Sequence, residues 1–395
     1  MQVPGFLASA VSAQVKKGHT RPDLGLIFSE VPAVTSGVFT RNLVKAAPVQ
    51  IDLGRIVERK GRAVLVNSGN ANACTGAAGL RDARKLSLKV SQTLSIPDSQ
   101  VFLASTGVIG QRLPLPRMMK AVPALAHSLS PDGLPAVAQA IMTTDTFPKL
   151  VSEEISVGRK KVRIVGMAKG AGMLHPDMAT MLCFVLTDLA VSPALLDRFL
   201  RKATDQSFNR ITVDGDTSTN DLILVMANGL AGNPVLDQPR TNGARLFSSA
   251  LDQVLFELAR MCVRDGEGAT KDITLQVQGA RNEEEARILA LTVAHSPLVK
   301  TALFGQDANW GRILAALGRS GVSFDPERVD IYFDRVQIVK NGISKGPKEE
   351  VRAGAVLKKR SLTIRIDLHQ GSAETRIYTC DLSLDYVRIN ADYRT

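Results

Sequence analysis

Short β-rich runs alternate with amphipathic helical stretches along most of this 395-residue chain. That alternation constrains the fold more than any single residue does. Residues 63–67 read as a strand, residues 68–76 as a polar Gly/Asn loop and residues 80–94 as a helix. Residues 101–104 form a second strand that runs straight into Ser105-Thr106-Gly107. Residues 123–142 hold one or two helices, interrupted near Pro131-Asp132-Gly133. A further helix starts at Ser192, with Pro193 at its first position and Leu196, Phe199, Leu200 and Ala203 on one face. Another starts at Asn282, where Glu285 three residues on completes a capping-box pattern. Residues 329–339, 361–368 and 375–384 alternate or carry β-branched residues, which predicts antiparallel strands. The charged, Gly- and Pro-containing residues 345–354 read as an exposed hairpin loop. The expected fold is therefore mixed α/β. Its sheets pack with helices in a layered sandwich, and antiparallel strands lie towards the C-terminus. No Pro/Gly/Ser-rich linker divides the chain, so the boundary between two α/β regions, 1–191 and 192–395, is set at the helix beginning at Ser192.

Composition narrows the class. Hydrophobic residues make up 45% and charged residues 22% of the chain, an ordinary globular balance. Aromatics supply only 5%, which leaves the core to Leu, Val, Ile and Ala. A chain of this length buries a large core without disulfides or metals. Cys74, Cys183, Cys262 and Cys380 form no CxxC pair, which argues against structural zinc and a secreted disulfide scaffold and for a reducing cytoplasm. Residues 1–14 are apolar but lack a basic start and are broken by Pro4 and Gly5, so they read as a first core segment and not a signal peptide. No run approaches the ~20 apolar residues that cross a bilayer. The net charge of +11 is spread along the chain. That describes a solvated basic surface attractive to small anions, where nucleic-acid binding would need concentrated Lys and Arg beside stacking aromatics.

Chemistry concentrates in one segment. Residues 162–165 run as a strand towards Lys169-Gly170-Ala171-Gly172, a loop follows, and Thr180 opens a second apolar run, 181–186. The small Ala179 before a hydroxyl residue suits an internal acyl shift. The Thr180 hydroxyl attacks the Ala179 carbonyl, and water cleaves the resulting ester. Thr180 is then left with a hydroxyl nucleophile and a free α-amine able to act as its base. The same residues also describe a Gly-rich connection into a strand, and their pattern alone does not choose.

The blocks around this segment do choose. Lys169-Gly170-Ala171-Gly172-Met173 followed by Ala179-Thr180-Met181-Leu182 resembles the processing motif of the ornithine acetyltransferase family. Gly37-Val38-Phe39-Thr40, Ala46-Ala47-Pro48-Val49 and the Asn-rich stretch from Val66 to Gly76 resemble that family's earlier blocks. Thr143-Thr144-Asp145-Thr146, Gly266-Glu267-Gly268-Ala269-Thr270-Lys271, Asp307-Ala308-Asn309-Trp310-Gly311-Arg312 and the ending Asn390-Ala391-Asp392-Tyr393-Arg394-Thr395 follow in the family's order. The resemblance thus covers nearly the whole chain.

It implies cleavage between Ala179 and Thr180, then ping-pong transfer of an acetyl group from N2-acetylornithine through Thr180 to glutamate, in arginine biosynthesis. Thr106 and Gly107 are implied as the oxyanion hole, and Thr143, Lys169, Thr180, Glu267, Asn390 and Thr395 as substrate-binding residues. Thr143 stands for the binding threonine of its block, with Thr144 and Thr146 as close competitors. Lys169 would meet a carboxylate and Glu267 an amino group of ornithine. Thr395 would offer its hydroxyl or α-carboxylate. No cofactor or metal is implied. Acetyl-CoA is a second donor used by some relatives, and the two fragments are expected to pair as a heterotetramer. A self-processing amidohydrolase or aminopeptidase, with water as acyl acceptor, is the alternative.

Other constellations fail on spacing. Counting from Asp214, the sixth and twelfth positions are Thr219 and Val225, where an EF-hand needs Gly and Glu. A turn supported by side-chain hydrogen bonds is expected there instead. Gly266 to Lys271 lacks the Gly-Lys-Ser/Thr ending of a phosphate loop, and no HExxH or GxSxG occurs. His19, His127, His175, His295 and His369 show no ligand spacing.

Overall fold

The computed structural model describes residues 1–16, 18, 20–175 and 181–392. They form two compact units, one built from residues 1–209 and 216–262, the other from 210–215 and 263 onward. The helix that begins after Ser192 falls inside the first unit, so the units do not follow a 191/192 division.

The first unit contains strands β1 (Phe6–Val11), β2 (Leu24–Phe39), β3 (Lys60–Asn67), β4 (Val101–Ser105), β5 (Lys149–Val157), β6 (Lys160–Lys169), β7 (Leu182–Thr187) and β8 (Leu222–Ala227). They make one mixed sheet in the order β4-β3-β2-β8-β7-β6-β5, with β1 beside β2. Side-chain alternation splits the core between its faces. Val64 and Val66 of β3 pack with Leu134, Val137 and Ala138 of a helix, Leu134–Ala140. Ala63 and Leu65 point the other way, to Ala83, Leu86 and Val90 of the helix Gly76–Leu94 and to Met118, Val122 and Leu125 of the helix Leu115–His127. The helix expected at 80 thus begins at Gly76, because its first turn of Gly and Ala carries no apolar periodicity. The helix Pro193–Gln206 starts where expected, with Ser192 extended at its cap and Leu196, Phe199, Leu200 and Ala203 buried.

The second unit holds β9 (Asp272–Ala280), β10 (Asp330–Phe333), β11 (Val336–Lys340), β12 (Ile343–Ser344), β13 (Ser361–Asp367) and β14 (Ala373–Cys380), ordered β12-β11-β10-β13-β9-β14. Every pairing is antiparallel except β13 with β9, which is parallel. Ile273, Leu275 and Val277 of β9 join Leu362, Ile364 and Ile366 of β13 in a core covered by Ala286, Leu289, Ala290 and Val293 of the helix Glu283–Ala294. That helix is capped as its sequence indicates, the Asn282 side chain accepting from the Glu285 backbone N–H at 2.9 Å.

Two expectations need correction. Residues 345–354 are not a hairpin loop: the helix Pro347–Leu357 occupies them, with Pro at its start, Glu349 and Glu350 in its first turn and Ala353, Val356 and Leu357 buried. The charges that suggested a loop are its solvated face. The strand expected over 375–384 ends at Cys380, and Leu384 opens the helix Leu384–Asp392.

Candidate active site

Three strand ends meet in register at one edge of the first sheet. Lys169, the last residue of β6, pairs with Leu182 at the start of β7, and Leu182 pairs with Leu222 at the start of β8. The chain entering β7 at Met181 therefore lies between the end of β6 and the residue preceding β8.

Lys169 is buried, and its ammonium is held by three groups. Nζ donates to Thr143 Oγ1 at 2.8 Å and to Thr106 Oγ1 at 3.4 Å, and lies 3.8 Å from Asp145 Oδ2. A cation taken out of water requires such partners. Asp145 organises them. Its Oδ1 accepts from Lys149 Nζ at 2.7 Å and from the Gly170 N–H at 2.7 Å, and its Oδ2 accepts from the Thr143 N–H at 3.0 Å. Burial alone would raise this carboxyl's pKa. The charges of Lys169 and Lys149, with the hydrogen bonds, outweigh it and hold the group well below the usual carboxylate range.

Thr106 follows β4. Its backbone N–H is already used, donating to Asn67 O at 3.0 Å. Its hydroxyl accepts from Lys169, so the single hydroxyl proton is left for another acceptor. Gly107 has φ +128°, and a Cβ there would lie 2.4 Å from Gly69 C and 2.5 Å from Asn70 N, so only glycine fits. Among the described residues its N–H has no hydrogen-bond partner. Asparagines brace the corner. Asn67 accepts from Ser105 Oγ at 2.7 Å and donates to Asn70 O at 2.9 Å, while Asn220 Nδ2 donates to Ala71 O at 2.7 Å and Ser105 O at 2.8 Å. The expected side-chain-supported turn is present over 218–220, where Asn220 N donates to Ser218 Oγ at 3.0 Å and Thr219 Oγ1 to Asn220 Oδ1 at 2.6 Å.

Thr106, Gly107, Thr143 and Lys169 are thus held around one hydrogen-bonded corner. Ala179, Thr180 and Thr395 lie outside the described residues. In the second unit, Glu267 is buried and accepts from Asn390 Nδ2 at 2.8 Å. Gly268 beside it has φ +66°, and a Cβ would meet Tyr386 N at 2.5 Å, so the turn packs against the helix that carries Asn390. Among the described residues no group of three or more His, Cys, Asp or Glu side chains is placed to hold a metal ion. No described helix is long and apolar enough to cross a membrane.

Sequence reasoning gave Asp145, Lys149 and Asn67 no role of their own in this corner. Asp145 stood inside the Thr143–Thr146 block without a role. Thr143 and Lys149 are near it in sequence, but Lys169 and Gly170 reach it from the end of β6, and no local spacing announces that meeting.

A family model described as the ArgJ family matches residues 7–395. The chain belongs to the ArgJ family. The arginine biosynthesis bifunctional protein ArgJ of Geobacter sulfurreducens is 51% identical over 395 residues, covering 100% of both chains. Its counterpart from Desulfotalea psychrophila is 50% identical over the same length, again with 100% of both covered. A crystal structure of arginine biosynthesis bifunctional protein ArgJ from Bacillus halodurans shares 45% identity with a TM-score of 0.51, covering 53% of this chain and 98% of that one.

Proposed function

We propose that this ArgJ family chain is a self-cleaving acetyltransferase of arginine biosynthesis, moving the acetyl group of N2-acetylornithine to L-glutamate through an acetyl-Thr180 intermediate. The observation that carries the reading is the buried Lys169–Thr106–Thr143 cluster beside the start of β7, where residue 180 is the second residue before Leu182.

Cleavage comes first. Thr180 Oγ attacks the Ala179 carbonyl carbon, the C–N bond breaks as the nitrogen takes up a proton, and water hydrolyses the ester. The cut falls between β6 and β7, which pair from Ile164↔Thr187 to Lys169↔Leu182, so the two fragments would share one sheet and stay together. The half-length Bacillus halodurans chain, nearly all of it matched by about half of this one, agrees with such fragments. A heterotetramer with two copies of each fragment is part of the proposal, as is a cytoplasmic setting.

Transfer follows. Thr180 Oγ attacks the acetyl carbonyl and passes its proton to its own α-amine. As the carbon–nitrogen bond breaks, that proton goes to the leaving nitrogen of ornithine and the acetyl group remains as an ester. The amine of glutamate then attacks the ester carbon and regenerates the hydroxyl. Negative charge on the acetyl oxygen in both steps is met by the Thr106 hydroxyl, whose proton the Lys169 contact leaves available, and by the Gly107 N–H. Lys169 also offers its charge to a substrate carboxylate, with Thr143 beside it. Glu267 receives an amino group of ornithine, held ready by Asn390, and Thr395 closes the set. The relatives' names call them bifunctional. On this reading the second activity is acetylation of glutamate from acetyl-CoA.

Incubation with N2-acetylornithine, with and without glutamate, tests the proposal. Glutamate-dependent release of ornithine supports the transferase. Equal release without glutamate identifies a hydrolase, and no release rejects both.

A further inference from the structure

Asp221 closes the other side of the strand that begins beyond residue 180. It immediately precedes β8, and the parallel register that pairs Leu182 with Leu222 sets it against Met181. Its Oδ1 accepts from the Met181 backbone N–H at 3.0 Å, while the Leu222 N–H donates to Met181 O at 3.1 Å. Both polar groups of the Met181 backbone are thus fixed by two successive residues. The Asp221 backbone is pinned in turn, its carbonyl accepting from the Thr40 N–H at 3.0 Å.

The carboxyl is an expensive way to make that bond. Asp221 is 0% exposed, and among the described residues its Oδ2 has no hydrogen-bond partner. A buried polar atom without a partner costs free energy and calls for an explanation. Burial pushes the carboxyl well above the ordinary Asp range, outweighing the Met181 N–H and the charge of Lys169, which favour the ionised form. An asparagine amide has the shape of this carboxyl and keeps one accepting oxygen towards Met181.

Resting on the function proposed above, we propose that Asp221 is a positioning residue: its Oδ1, by holding the N–H of Met181, fixes the chain one peptide beyond Thr180 and so aims the nucleophile for both cleavage and transfer. Residue 180 is bonded to Met181, so a shift of that peptide moves the nucleophile with it. A displacement of about 1 Å at a reacting atom costs up to roughly a hundredfold in rate.

Three substitutions in the full-length chain separate geometry from charge. Asp221→Asn keeps an accepting oxygen in place. Asp221→Glu keeps the acid but carries the oxygen one methylene away. Asp221→Ala removes the acceptor. Each is read by intact mass for cleavage over time, by kcat and KM for N2-acetylornithine in the cleaved enzyme, and by thermal melting for folding. We expect Asn to cleave and transfer within about fivefold of wild type. Glu and Ala should lose about ten- to a hundredfold in cleavage rate and in kcat, with KM within about twofold, because positioning acts on the reacting atoms and not on substrate binding. A folded Ala variant with wild-type cleavage and kcat overturns the proposal. So does a folded Asn variant that fails to cleave while Glu succeeds, since that pattern belongs to a proton donor. If the Ala variant does not fold, the Asn and Glu pair decides alone. Thr180→Ala is the control for the underlying reading. If that variant stays active, the assigned nucleophile is wrong. If it is dead while Asp221→Ala is normal, only the role of Asp221 falls.

Discussion

Lys149 Nζ lies 2.7 Å from Asp145 Oδ1, and neither side chain reaches solvent. With Lys169 Nζ 3.8 Å from the other oxygen, one carboxylate faces two lysine amino groups. Asp145 thereby pairs with two buried lysines and orients the one that touches Thr106 and Thr143.

Removing that carboxylate strands two cations. Asp145→Asn should destabilise the protein by about 3–5 kcal/mol, as loss of one partner of a buried ion pair does. Denaturant titration at neutral pH measures it. The carboxyl's folded pKa is depressed below its unfolded value of about 4. Its stabilisation is therefore fully present above pH ~4 and is lost as pH falls through the lower folded value. The stability gap between wild type and variant should be constant from neutral pH down to about 5 and should narrow only in stronger acid.

Thr106→Ala should lower kcat by about 10²–10³-fold with little change in KM, since the hydroxyl is needed when negative charge develops on the acyl oxygen. Steady-state kinetics with N2-acetylornithine and glutamate give the split. Thr106→Ser keeps the hydroxyl and should retain most activity. A raised KM with unchanged kcat would assign Thr106 to binding.

Gly107→Ala places a methyl 2.4 Å from Gly69 C in a backbone conformation that side chains disfavour. The backbone must move, at about 1–3 kcal/mol for the conformation alone. Lower melting temperature together with impaired cleavage is the expected result. A variant with wild-type melting and cleavage would show that the loop adapts without cost.

Glu267→Gln should raise KM for N2-acetylornithine about tenfold, equivalent to ~1.4 kcal/mol, while leaving self-cleavage intact. The amide can still accept from Asn390, so the local hydrogen bond survives and the loss isolates the negative charge. Unchanged KM would remove Glu267 from substrate binding.

Local chemistry was legible wherever the signal was local. Ser192-Pro193 and the Asn282/Glu285 pair announce two helix starts, and the structure begins both helices there. Residues 345–354 misled because Gly346 and the charges dominate the reading, whereas Ala353, Val356 and Leu357 supply the buried face only when counted together. The site divides the same way. Thr106, Gly107, Thr143 and Lys169 stand in recognisable blocks and gather at one corner, although their chemical roles rest on the proposed reaction. Asp145 and Lys149 were silent because their pairing gains a role only when the end of β6 brings Lys169 to them, and Asp221 because it acts through strand register. Asp221 meets Met181 only once β8 lies parallel to β7, forty positions apart in sequence.

The central claim is that an acetyl group rests on Thr180 between the two substrates. Purified wild-type protein should first appear as two fragments, residues 1–179 and 180–395, and Thr180→Ala as one uncleaved, inactive chain. Rapid quench of the cleaved enzyme with N2-acetylornithine alone, followed by intact-mass analysis, should then find one added acetyl group on the fragment that begins at Thr180. Added glutamate should remove it. Normal turnover with no acetyl ever appearing on that fragment would contradict the account and favour direct transfer between the substrates.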